Sequence, residues 1–103
     1  MRLLEFTEST RPKKRFMMTI LKDDGRTKTI HFGDSNGSTY IDHKDKNKRK
    51  NYLARHVVNE DWDEINAGSA SAFILWGPST SLNKNLENYL RRFKIEFVSD
   101  LLE

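Results

Sequence analysis

The sequence predicts an α+β domain, an N-terminal β-hairpin or small antiparallel sheet packed with two or three α-helices. Three observations carry this. "RFMMTILKDDGRTKTIHFG" alternates apolar residues on either side of a glycine turn, the period-2 signature of paired strands. "SLNKNLENYLRRFKI" repeats its apolar residues every three or four positions, the period of a helix. A chain of 103 residues with no repeat and no Pro/Gly/Ser linker supports one domain with one modest core.

Residues 1–14, ending in "RPKK", read as an N-terminal arm, mobile or docked on a neighbour. The domain proper is expected over 15–95. Phe16, Met18 and Ile20 alternate onto one face of the first strand, and Ile30 and Phe32 do the same on the return strand. "DDG" at Asp23–Gly25 places a glycine where a short hairpin loop needs positive φ. "GDSNGS" (33–38) is a loop by composition, and its glycine spacing matches neither the dinucleotide fingerprint nor the P-loop. A helix is expected from Asp45, a good N-cap, to about Asn59. Tyr52, Leu53 and Val57 fall on its apolar side, Lys48 and Arg55 on the opposite one, while Arg49 and His56 fall in the apolar sector. After an acidic link, "SASAFILWGP" suits a short helix buried nearly all round and closed by Gly77 and Pro78, with a buried strand as the competitor. In the last helix Leu82, Leu86, Tyr89, Leu90 and Phe93 form a stripe, Ser79 or Ser81 caps it, and Arg91 and Arg92 suit its C-terminal dipole. Residues 96–103 are a tail that keeps four apolar residues, a pattern that suits docking.

Composition narrows the function. The chain has no cysteine, which removes disulfides, thiolate chemistry and Cys-type zinc sites. Its longest apolar run, "AFILW" at Ala72–Trp76, is far too short to span a bilayer, and no signal-peptide core opens the sequence, so a soluble protein is expected. The net charge of +3 conceals a division: residues 1–58 carry +7 and residues 59–103 carry −4. Such a dipole suits a polyanion partner or head-to-tail packing in an assembly.

"YIDHKDKNKRKNYLARH" (40–56) concentrates the candidate chemistry. Asp42, His43, Asp45 and His56 are metal-ligand types, but no established ligand spacing accompanies them, and no metal or cofactor is expected. His56 beside Arg49 can meet Asp42, Asp45 or Glu60. A partly buried Arg and His satisfied by a carboxylate more often hold a fold together than catalyse, and no nucleophile motif is present. Arg49, His56 and Asp45 are therefore assigned to locking the fold, with no catalytic residue and no enzyme activity expected. Lys44, Lys46, Lys48, Lys50 and Arg55, with Lys13, Lys14 and Arg15, form the candidate surface for a polyanion or partner. Tyr40 and Tyr52 are candidate stacking partners for bases. Against nucleic acid, Asp42, Asp45, Asn47 and Asn51 interrupt the basic run, and no helix-turn-helix, RNA-recognition or zinc-finger pattern appears.

Taken together, "TIHFGDSNGSTYIDHKDKNKRKNYLARH", "EDW", "AGSASAFILWG" and "NYLRRFKI" resemble a family of small uncharacterised proteins of large double-stranded DNA viruses, of giant-virus type, and some phages. The resemblance covers about residues 14 to 95 and rests on the spaced Arg-Lys, Arg-His and Leu-Trp elements. It implies a viral origin. The function expected from that context is a non-enzymatic structural component of the particle, a minor capsid or capsid-associated (cement) protein acting through protein–protein contacts within a larger assembly. Its partners would be capsid proteins, and its location the virion and, during assembly, the host cytoplasm or nucleus. A basic nucleic-acid-binding protein of DNA packaging or replication is the alternative. In the capsid reading Arg49, His56 and Trp62 maintain the fold, and the exposed lysines and both chain ends make the contacts.

Overall fold

The computed structural model describes residues 1–98; the rest of the expected tail, residues 99–103, lies outside the described residues. Three antiparallel strands, β1 (Arg2–Glu8), β2 (Lys14–Leu21) and β3 (Thr27–Asp34), form one sheet in the order β1-β2-β3. Helices α1 (Tyr40–His43), α2 (Lys46–His56), α3 (Ala67–Ala70) and α4 (Leu82–Arg92) follow, with a π-helical turn (Ser71–Leu75) extending α3. This is the α+β arrangement that the hairpin and helix periods predict.

The hairpin forms in phase with its apolar pattern. Phe16 faces Phe32 and Met18 faces Ile30 across the ladder, and Met18, Ile20, Ile30 and Phe32 are buried on the face that the helices cover. At the turn Gly25 has φ +85°, and its N–H donates to the Lys22 carbonyl at 3.0 Å. A residue with a Cβ is strained there.

The N-terminal segment is not an arm. Residues 2–8 are a third strand, with Leu3 opposite Ile20 and Phe6 opposite Met18. Leu3 is buried, and the Phe6 ring lies 5.4 Å from Phe16 and 6.0 Å from Phe32. A bulge between Leu3 and Glu5 lets residues three apart share the core face, which erases the alternation by which strands are recognised. The first residues of the expected tail dock on the same strand: the Leu3 N–H donates to the Glu96 carbonyl and the Glu96 N–H to the Met1 carbonyl, both at 2.8 Å. Ile95 is buried beside them.

The core closes under α4. Ser81 caps it by accepting from the Lys84 N–H, and Leu86, Tyr89 and Leu90 are buried, with Leu82 and Phe93 packed at the margin. The "SASAFILWGP" segment is helical, not a strand, and buries Ala70, Ala72, Ile74 and Leu75. Its last turn widens, so the Trp76 N–H reaches back five residues to the Ser71 carbonyl. No helix among the described residues is long and apolar enough to cross a membrane.

Candidate functional site

Asp45 starts α2 as expected, accepting from the Asn47 and Lys48 N–H groups at 2.9 and 3.2 Å. Those backbone bonds, Lys48's first, hold its carboxyl below the ordinary value. The helix ends at His56, short of Asn59, so Val57 becomes its C-cap and is half exposed instead of joining the apolar side. No residue of α2 is fully buried. It is attached by directional contacts. Arg49 Nε donates to the carbonyls of Trp76 and Gly77, at 3.0 Å each, and its guanidinium sits 5.6 Å from the Tyr40 ring centre. Tyr52 is sandwiched between Trp76, 4.2 Å away and 5° from parallel, and His56, 4.0 Å away and 22° from parallel. Burial first, then Glu60, pushes the Tyr52 hydroxyl up to about 12. Of the three carboxylates weighed for His56, Glu60 is the one it meets: Nδ1 lies 2.7 Å from Glu60 Oε2, and Oε1 of the same carboxylate accepts from the Trp62 indole at 2.8 Å.

The turn that carries Trp76 is held by a residue that sequence reasoning passed over. Asn85 falls inside the apolar stripe of α4 and is fully buried. Its Nδ2 donates to the Ile74 and Ser79 carbonyls at 2.9 and 2.6 Å, and its Oδ1 accepts from the Ser79 N–H at 3.0 Å. The turn passes so close that a Cβ on Gly77 would lie 2.2 Å from the Phe73 carbonyl oxygen. Only glycine fits.

The carboxylates that interrupt the basic run are already engaged. Arg15 grips Asp42 with two bonds, at 2.6 and 2.7 Å, while the Thr39 N–H and hydroxyl donate to Asp42 Oδ2 at 2.8 and 2.9 Å. The hydrogen bonds from Arg15, more than any other cause, hold the Asp42 carboxyl well below the usual carboxylate range. Arg15, expected among the phosphate contacts, is therefore committed to α1. Tyr40 and Tyr52 are not stacking platforms either: Tyr40 is buried, and both faces of Tyr52 are covered. Among the described residues no three His, Asp or Glu side chains gather to hold a metal ion.

What remains free is a basic surface. Lys44, Lys46, Lys48, Lys50 and Arg55 are exposed, and none has an ion-pair partner among the described residues. Lys13 and Lys14 are also exposed, on the other side of the loop that follows β3, where the Ser35 N–H donates to the Lys13 carbonyl at 3.2 Å. Two cavities flank Trp76. One, of about 380 Å³, brings Lys14 to the same opening as Tyr52 and His56. The other, of about 200 Å³, lies among Ser38, His43, Lys48, Asn51, Arg55 and Trp76. The sequence did not mark Ser38, Asn51 and Trp76 as a site: Asn51 read as an interruption of the basic run and Trp76 as the end of a buried segment, and the available clue was that Lys48, Asn51 and Arg55 stand at i, i+3 and i+7 of one helix face.

No curated protein and no solved structure matches the chain. One family does, over residues 4–56, just over half of the chain, a span that runs from β1 to the end of α2 and includes every residue of the basic surface. By that match the chain belongs to the family of unknown function DUF5754.

Proposed function

We propose that the protein is a non-enzymatic contact module that binds a polyanion, the phosphate backbone of nucleic acid, through the outer face of α2. One observation carries this reading. Five cationic side chains, Lys44, Lys46, Lys48, Lys50 and Arg55, stand exposed, while Asp42 and Asp45 within the same stretch are bound to Arg15 and to the α2 N-terminus. Pairing with Arg15 cancels the charge of Asp42, and the positive end of the α2 dipole offsets part of that of Asp45, so the field over the five cations stays positive. With Tyr40 buried and both faces of Tyr52 covered, neither tyrosine of the basic stretch offers a stacking face, which favours sequence-independent contact with a duplex backbone over single-strand recognition. The test is duplex DNA binding at two salt concentrations, beside a Lys46/Lys48/Lys50→Ala variant. Contact with three to five phosphates lowers affinity roughly 40- to 500-fold between about 50 and about 200 mM salt, and the triple variant flattens that dependence. Absence of binding at low salt overturns the reading.

A second proposal is the minor capsid or capsid-associated component of a large DNA virus particle, in the virion and in the host cytoplasm or nucleus during assembly. It is supported by the viral resemblance and by β1, an edge strand that carries an exposed Leu4 and pairs beyond β2 only near Glu96 among the described residues. Stoichiometric recovery of the protein with purified shells, insensitive to salt, supports this reading; absence from the particle removes it.

A further inference from the structure

We infer that the small cavity beside Trp76 is a seat for one phosphate group, distinct from the diffuse contacts of the other lysines. This deepens the polyanion reading and rests on it. The cavity, of about 200 Å³, is bounded by Ser38 from the loop after β3, His43 at the end of α1, Lys48, Asn51 and Arg55 from one face of α2, and the Trp76 indole. None of these residues is acidic. Two are permanently cationic, and Ser38, Asn51 and His43 add neutral donors, a set that suits an anion with several acceptor oxygens.

His43 supplies the independent sign. Its Nδ1 accepts from the Asp45 N–H at 2.9 Å, which leaves the ring proton on Nε2. That Nε2 is buried and has no hydrogen-bond partner among the described residues. A buried donor without an acceptor is costly to the fold, and such groups are rare outside sites where something else completes them. The ring cannot turn away freely, since its centre lies 5.3 Å from the Trp76 ring, and Trp76 is fixed by Arg49 and by its stack on Tyr52. The same ring lines the cavity, and a small outward shift of it on binding brings Nε2 to a phosphate oxygen held by Lys48 and Arg55.

The test has two arms that separate a backbone phosphate from free phosphate. In the first, inorganic phosphate is titrated into the labelled full chain while the imidazole resonances are followed by NMR, with chloride at matched ionic strength as control. A saturable shift of the His43 ring that is lost in Arg55→Gln is expected; an unmoved ring means that no phosphate enters the cavity and overturns the seat. In the second, a short DNA duplex is titrated into wild type, Arg55→Gln, Asn51→Ala and Lys46→Gln, all checked for fold by circular dichroism. Losing a charged contact within the seat weakens binding roughly tenfold or more, whereas Lys46→Gln, outside it, costs only its share of the salt-dependent term. Equal losses for Arg55→Gln and Lys46→Gln refute the seat and leave the polyanion reading standing. A phosphate-induced His43 shift without any duplex binding has the opposite meaning: the seat holds, its ligand is a free phosphate, and the nucleic-acid reading fails.

Discussion

Replacing Asn85 with alanine tests whether one buried amide holds the turn that carries Trp76. The side chain, 0% exposed, makes three hydrogen bonds, to the Ile74 carbonyl and to both backbone groups of Ser79. Truncation strands all three. A buried backbone group left without a partner costs about 1–3 kcal/mol, with the lower end appropriate to the Ser79 groups, which are only partly buried. Alanine's better helix propensity returns roughly 0.5 kcal/mol, which leaves a net loss of about 3 kcal/mol. For a domain of this size that is a fall in Tm of roughly 12–24 °C, read by far-ultraviolet circular dichroism and confirmed by urea titration. Asn85→Asp gives a second reading of the same contacts. It keeps an acceptor for the Ser79 N–H but aims a carboxylate at two carbonyls, so burial and those carbonyls raise its pKa. Its folded-state pKa lies above the unfolded value, and the variant therefore gains stability relative to wild type as pH falls. A loss below about 1 kcal/mol for Asn85→Ala would refute the reasoning, because it would mean that the Ile74 and Ser79 groups find other partners without cost.

Two further outcomes are expected. Leu3→Ala removes a side chain that is 2% exposed and lowers stability by about 2–4 kcal/mol in urea, whereas a residue in an undocked arm would change it by less than about 0.5 kcal/mol. Asp42 has a folded pKa held below its ordinary 3.8, so its contribution is present at neutral pH and is lost as pH falls through and below that value. Asp42→Asn accordingly costs about 1–2 kcal/mol at neutral pH, and urea midpoints of variant and wild type converge toward about pH 2; a gap of the same size at both pH values would contradict the Arg15–Asp42 assignment.

The parts of this fold that sequence shows are those in which pattern and geometry keep the same period. Phe16, Met18 and Ile20 face Ile30 and Phe32 in an unbroken register, and the α4 stripe recurs every three or four residues, so both could be read directly. β1 could not. Its bulge puts Leu3 and Phe6 on one face at a spacing that belongs to no strand, and it leaves Leu4 half exposed between them. The π turn after α3 hides in the same way, by shifting Trp76 one residue out of helical phase. For the candidate site the difficulty is partner distance. Lysines announce a basic surface from composition alone, yet the pairing of Asp42 with Arg15 spans 27 positions and that of Arg49 with Trp76 another 27. Asn85, a polar residue inside an apolar stripe, reads as an interruption until its three backbone partners are known.

The two faces of α2 do different work, and this bears on how its charges are used. A helix attached through an apolar stripe can rotate by a few degrees with little penalty, because hydrophobic contact is non-directional. α2 has no fully buried residue; Arg49 on two carbonyls, Tyr52 in its stack and His56 on Glu60 hold it instead. Hydrogen bonds and stacked rings resist rotation more than oily contact does, so the inner face sets the azimuth of the helix. A purely diffuse polyanion surface gains little from this precision, since screened charges act over about 8–10 Å and tolerate misalignment. A seat that must bring Lys48, Asn51 and Arg55 against His43 from another element gains a great deal, because donors lose their worth within tenths of an ångström. The polar attachment of α2 thus makes geometric sense if the outer face both attracts a polyanion and grips one of its phosphates.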